Sequence, residues 1–273
     1  MWAYMPLSPR TDRPSICPRE FIDFGNRIAD AVAEIHRRHF RQGVAVEIKD
    51  DGSPVTAVDR MAEQVVRQLL AEKFPDHGVL GEEFPAHRPD ADYVWVVDPL
   101  DGTQLYVMGR PLFGFLLALA HRGRFILGVI DHAALGERWV GADGHGTVLN
   151  GAPVRTRACA ALQEAALVRP GRTGIPESCS QAVDAVAEHG RWVQWGVTPY
   201  DYGLLAAGHL DLVLSAGPKL HDLAPLDPVI RNAGGAVADW NGAPLSITSE
   251  GSLIACGDPG LLPQVLASLH ATG

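Results

Sequence analysis

The chain has little of what would assign it to several large classes of protein. No apolar run approaches the roughly 18 residues needed to cross a bilayer, which argues against a membrane protein. Cysteine is scarce: Cys17, Cys159, Cys179 and Cys256 are scattered without a C-x-x-C pair, which argues against a zinc site or a disulfide framework and leaves free thiols. The net charge is −9 and no basic stripe is present, so nucleic acid is excluded as a partner; binding a phosphate backbone requires clustered lysine and arginine. There is no G-x-S-x-G elbow and no setting that would activate a cysteine, which removes the serine and cysteine hydrolases. Internal repeats and low-complexity segments are absent. Residues 1–18 carry Arg10, Arg13 and four prolines without an apolar h-region, and read as a loose N-terminal tail and not a signal peptide. A cytoplasmic location is the expectation that follows.

What is present is ample core. The 273 residues are 47% hydrophobic, enough for one large domain or two small ones. Phe21, Phe24, Ile28, Val32 and Ile35 share one face of a helix over 21–40, and Glu34, His36 and His39 are expected on its solvated side. A strand over 44–48 is followed by a helix entry with Thr56 as N-cap and Asp59 in the first turn; Pro75 and Gly78 stop that helix. Apolar runs over 94–97, 112–120 and 125–130, then 138–142 and 147–149, read as strands of one sheet. Up to about residue 150 the order is therefore α+β. Beyond it, strands near 165–168, 192–195, 210–214, 236–238 and 253–255 alternate with helices at 179–189, 200–207, 222–233 and 261–269. The expected division is a tail at 1–18, an α+β unit at 19–150 carrying metal and phosphate, and an α/β unit at 151–273.

The most informative stretch is WVVDPLDGTQLYVMG, from Trp95 to Gly109. An apolar strand ends at Asp98, and a proline turn brings in Asp101, Gly102 and Thr103. Two carboxylates three positions apart on a tight turn repel each other, and both stay charged only if a hard divalent cation lies between them. The amides of Gly102 and Thr103, where a helix begins, favour an anion such as phosphate. A plain Asp-rich turn is the competing reading of this stretch taken alone. Acids or hydroxyls stand at the ends of three further segments, at Asp59, Glu82-Glu83 and Asp222, and such dispersion is what a multi-cation site needs.

Three of these segments, GEE at 81–83, DPLDGT at 98–103 and D-x-A-P at 222–225 before AGG, resemble the inositol monophosphatase superfamily of Mg2+-dependent, lithium-sensitive phosphatases. The resemblance spans roughly residues 20–270. It implies a layered αβαβα sandwich, with a large antiparallel sheet plus a smaller mixed sheet and the active cleft between them. It implies metal ligation by Glu82, Asp98, the Leu100 carbonyl, Asp101 and Asp222, with Glu83 beside them and two or three Mg2+ ions. Asp59 and Thr103 match the pair that activates water, with Glu82 joining the catalytic group. The Gly102 and Thr103 amides match the phosphate contacts, and Lys49 matches a mobile-loop position. A homodimer and a small phosphate monoester as substrate are also implied. A non-catalytic relative of the same fold would have little reason to keep so many repelling carboxylates in one cleft.

Within the superfamily the histidinol-phosphate phosphatases are most similar, through DGSPVTAVDR, FPDHGVLGEEF, GRPLFG, GVIDHAALGERWVG and PVIRNAGGAVADWNGAPL. That branch places the expected activity in histidine biosynthesis, with inositol, sugar or nucleotide phosphates as alternatives. The match has departures. Thr198 and Ser215 stand where that branch carries acids, His221 where an aromatic is usual, Pro225 for a small residue and Met108 for a polar one. Lys49, Thr198, Asp201 and Ser215 are the expected substrate contacts, with Asp201 or Asp131 as the acids placed to compensate.

Overall fold

The structure, a computed structural model, describes residues 16–171 and 177–271. Most of the tail therefore lies outside the described residues, but Cys17 at its end is fully buried. Two helices open the chain: α1 (Arg19–His39) and α2 (Ala57–Lys73), separated by the hairpin of β1 (Val46–Ile48) and β2 (Pro54–Thr56). Thr56 caps α2 as expected. Its hydroxyl accepts from the Val58 amide, and Asp59 reaches back to the Thr56 N–H in a capping box.

Seven strands then form one sheet in sequential order: β3 (Gly78–Gly81), β4 (Tyr93–Asp101), β5 (Gly114–His121), β6 (Arg124–His132), β7 (Glu137–Ala142), β8 (Gly146–Leu149) and β9 (Ala152–Val154). A short helix, α3 (Thr103–Val107), joins β4 to β5. All neighbours are antiparallel except β3 and β4, which run parallel and so deliver Gly81 and Val97 to the same edge. The second sheet contains β10 (Ala166–Arg169), β11 (Trp192–Trp195), β12 (Leu212–Ala216), β13 (Ala236–Ala238) and β14 (Ser252–Cys256), in the mixed order β11-β10-β12-β14-β13. Around it lie α4 (Glu177–Ala187), α5 (Pro199–Ala206), α6 (Leu220–Leu223), α7 (Leu226–Arg231) and α8 (Leu262–His270).

Three apolar cores separate the layers. Phe21, Phe24, Ile28 and Val32 of α1, with Val66 and Leu70 of α2, cover one face of the large sheet. Val183 and Val186 of α4, with Val265 and Leu269 of α8, cover the outer face of the small one. Between the sheets lie Tyr202, Leu205, Leu223, Val229 and Ile230 from α5, α6 and α7. The result is the αβαβα sandwich. The middle layer sits close because the large sheet presents glycines to it. A Cβ at Gly128 would lie 2.1 Å from the Pro225 carbonyl oxygen, and one at Gly141 2.4 Å from the Val229 Cα. This contact fixes the height of α6 and α7 over the strands.

One expected helix, 222–233, is two. Pro225 has no amide to continue the helical ladder, and its ring excludes the carbonyl four residues back, so α6 stops at Leu223 and α7 starts afresh at Leu226. Among the described residues no helix is long and apolar enough to cross a membrane. All four cysteines are free thiols.

Candidate active site

The β4–β5 ladder is regular through Asp98 opposite Leu116, and its register then shifts before Asp101 meets Gly114. The irregularity swings Pro99 and Leu100 out of the ladder and turns both aspartates toward one place. Asp98 is buried, and its Oδ1 accepts from the Leu100 amide at 3.0 Å. Beneath the turn, His36 Nε2 lies 2.9 Å from the Pro99 carbonyl. A carbonyl only accepts, so Nε2 is the protonated nitrogen. Burial pushes this imidazole down to about 4, which keeps it neutral. The expectation of a solvated His36 is thus corrected. It sits one helical turn beyond Val32 on the buried face of α1 and props the aspartate turn.

Three segments bring acids to this edge. Donor atoms of Asp98, Asp101 and Asp222 lie within 4.8 Å of one another, as do those of Glu82, Asp98 and His221. Asp98 belongs to both groups, as a bridging carboxylate would. Burial, and then repulsion from the neighbouring acids, holds the Asp98 and Asp101 carboxyls well above the usual carboxylate range. The donor set fits hard divalent cations, which would restore both carboxylates to their charged form.

Glu82 and Glu83 follow β3, and Lys49 at the end of β1 reaches both, at 2.9 and 2.6 Å. Burial works against the Lys49 charge, but the bonds to Glu83 and Glu82 outweigh it and raise its pKa. The Glu83 amide donates to buried Glu63 Oε2 at 2.7 Å, and Arg67 holds the other Glu63 oxygen, also at 2.7 Å. Glu63 therefore positions this turn and was missed. The available signal was the row Asp59, Glu63, Arg67 at four-residue spacing on the buried side of α2.

Thr103 Oγ1 lies 2.9 Å from Asp59 Oδ1 and 3.0 Å from the Leu100 carbonyl. The other Asp59 oxygen takes the Thr56 amide and hydroxyl at 2.9 and 2.6 Å. Burial raises the Asp59 pKa against these hydrogen bonds. Gly102 precedes α3 with φ 81°, a left-handed conformation suited to glycine. Its amide bonds the Asp101 carboxylate and opposes the upward shift there.

Glu82, Asp98, Asp101, Gly102, Thr103, His221 and Asp222 line a cleft of about 830 Å³ between the sheets, together with Thr198, Asp201, Met108 and exposed Trp195. Ser215 lies in an adjoining cavity of about 530 Å³, its Oγ 2.6 Å from the Tyr202 hydroxyl. Asp201 Oδ2 is committed to capping α5, accepting the Thr198 amide at 2.7 Å and its hydroxyl at 2.9 Å. Asp131 does not reach the cleft, contrary to expectation. It is buried on a separate cavity shared with Asn26, Asp30 and Arg37, and Arg138 Nε holds it at 2.6 Å. Its charge is spent on that pair.

The chain matches the inositol monophosphatase family over residues 18–272. It is 38% identical over 259 residues to the chloroplastic bifunctional phosphatase IMPL2 of Arabidopsis thaliana, covering 92% of this chain and 75% of that protein. It is 34% identical over 260 residues to a histidinol-phosphatase of Mycobacterium tuberculosis, covering 89% and 95%. The solved structure of an inositol monophosphatase from Zymomonas mobilis is 39% identical, covers 92% of this chain and 98% of its own, and superposes with a TM-score of 0.85. With its motifs on the predicted edge and its layers in the expected order, the chain belongs to the inositol monophosphatase family.

Proposed function

We propose that the protein is a Mg2+-dependent phosphomonoesterase that uses an activated water, with histidinol phosphate as its leading substrate. The observation that carries this reading is the convergence of Asp98, Asp101 and Asp222 on one point, with Thr103, which bonds the buried Asp59, lining the same cleft. Glu82, Asp98, the Leu100 carbonyl, Asp101 and Asp222 would hold two or three cations. When bound, the cations supply offsetting charge for these carboxylates, a clamp on phosphoryl oxygens and a lowered pKa for the attacking water.

The chain's own residues then orient the reaction. Thr103 gives its hydroxyl hydrogen to Asp59 Oδ1, which leaves a lone pair of Oγ1 free to accept from water and to aim it. Asp59 is fixed by Thr56 on its other oxygen, and its raised pKa makes it the better proton acceptor. The Thr103 amide is assigned to the phosphate, while that of Gly102, the other amide expected there, bonds Asp101. Lys49 holds Glu82 and Glu83 at the rim. No covalent phosphoenzyme is needed, because the acceptor is water.

The identity to histidinol-phosphatases supports the substrate. One observation favours a broader monoester range as the second reading: Thr198 and Asp201 are tied into a helix cap and Ser215 to Tyr202, so few free acids face a cationic substrate. Comparing kcat/KM for histidinol phosphate, inositol 1-phosphate and a nucleoside monophosphate under saturating Mg2+ decides between them. A first rank for histidinol phosphate supports the assignment; a flat ranking or another ester in front removes it.

A further inference from the structure

His221 is the feature of the cleft that the hydrolytic scheme leaves unused. It lies in α6 beside Asp222, its side chain is 14% exposed, and it lines the cleft. Its Nε2 is 3.8 Å from Glu82 Oε2 and 3.5 Å from Asp222 Oδ1. Both separations exceed the roughly 2.7–3.2 Å of an N–H···O bond, so the ring is not held there by hydrogen bonding to either acid. They suit a different relation. Imidazole nitrogen and carboxylate oxygen each bind a first-row divalent ion at about 2.0–2.2 Å, so two ligands of one ion lie about 3 Å apart when adjacent and about 4 Å when opposite. The distance to Glu82 falls in that window, and a ring nitrogen of His221 shares a cluster with Glu82 and Asp98, whereas Asp222 belongs to the neighbouring group.

We propose that the two acid groups are unlike cation positions: His221, Glu82 and Asp98 form a nitrogen-bearing position for a first-row transition ion, while Asp98, Asp101 and Asp222 form an all-oxygen position for Mg2+. The chemistry follows from the donors. Mg2+ is hard, takes oxygen, and gains little from imidazole, whereas imidazole favours Co2+ and Zn2+ over Mg2+. Asp98 lies in both groups and links the two positions. This assignment rests on the proposed metal site and adds the class of ion that one half of it selects.

Titration of chelator-stripped protein with Co2+ and, separately, with Mg2+ tests it, in the wild type, His221→Tyr and His221→Gln. Tyrosine keeps a planar ring without a nitrogen ligand, and glutamine keeps a polar side chain, so either variant suffices if the other fails to fold. The expected result is a Co2+ affinity at least tenfold weaker in the variants, with Mg2+ affinity changed less than threefold. A second readout is the proton spectrum of the protein loaded with one equivalent of Co2+. A strongly shifted imidazole N–H resonance should be present in the wild type and lost in both variants. Equal loss of both ions, or a wild type without the shifted resonance, overturns the nitrogen-bearing position and leaves the phosphatase reading standing. A wild type that binds neither ion overturns both.

Discussion

Asp98→Asn should abolish turnover while making the cation-free protein more stable. Asp98 is buried among acids whose donor atoms lie within 4.8 Å, and without a cation it is held above the usual carboxylate range. At an effective dielectric near 20, two unit charges about 5 Å apart repel by about 3 kcal/mol. Protonation already relieves part of this at neutral pH, so removing one acid gains roughly 1–3 kcal/mol. Asparagine keeps the oxygen that accepts the Leu100 amide, so the turn persists. At roughly 2–4 °C per kcal/mol for a chain of this size, Tm in chelator should rise by about 2–12 °C. Added Mg2+ should then raise the wild-type Tm and leave that of the variant nearly unchanged, while phosphate release falls by at least ~100-fold. Scanning calorimetry with and without Mg2+, paired with phosphate release, reads both effects. A variant less stable than the wild type in chelator, or one that keeps its activity, refutes the idea that Asp98 is strained for a cation.

Other consequences follow from the same geometry. Thr103→Ala should lower kcat by about 100-fold or more with a much smaller change in KM, and the double variant with Asp59→Asn should be no worse than either single one; additive losses in steady-state kinetics would separate the pair. His36→Phe fills the same space but leaves the Pro99 carbonyl without its donor, so stability in urea should fall by about 1–3 kcal/mol and the Mg2+ concentration for half-activity should rise. His132 is pushed down to about 4 by burial, so between pH 6.5 and 4 the unfolded chain binds a proton that the folded chain does not. Its contribution is complete above pH 6.5 and is lost as pH falls toward 4. Denaturation across that window should show His132→Phe flattening the pH dependence by about 1.4 kcal/mol per pH unit relative to the wild type.

The aspartate turn was legible because its logic is local: an apolar strand, a proline and two acids within six residues fix where the carboxylates emerge. Thr56 and Asp59 were legible for the same reason, since a capping box is written in four residues. The failures involve distance along the chain or a rule applied too bluntly. His36 continues the spacing of Ile28 and Val32, but a histidine counts as polar in an amphipathic pattern, and its partner at Pro99 is 63 residues away. Glu63 meets the Glu83 amide from 20 residues away, and only the parallel pairing of β3 with β4 brings that amide to the site. Asp131 carries no sign in the sequence of its commitment to Arg138. Pro225 is itself the signal of the break, standing inside the expected 222–233 helix where a proline cannot continue the ladder. The substrate pocket was least legible, because Ser215 and Asp201 take meaning only from Tyr202 and Thr198 across elements.

The most direct test of the central claim is phosphate release from histidinol phosphate by chelator-stripped protein, before and after Mg2+ is returned. Release at the level of the uncatalysed blank that rises saturably with added Mg2+, in the wild type and not in Asp222→Asn, is the predicted result. Undiminished release from the stripped protein, or none from any phosphate monoester at any Mg2+ concentration, contradicts it.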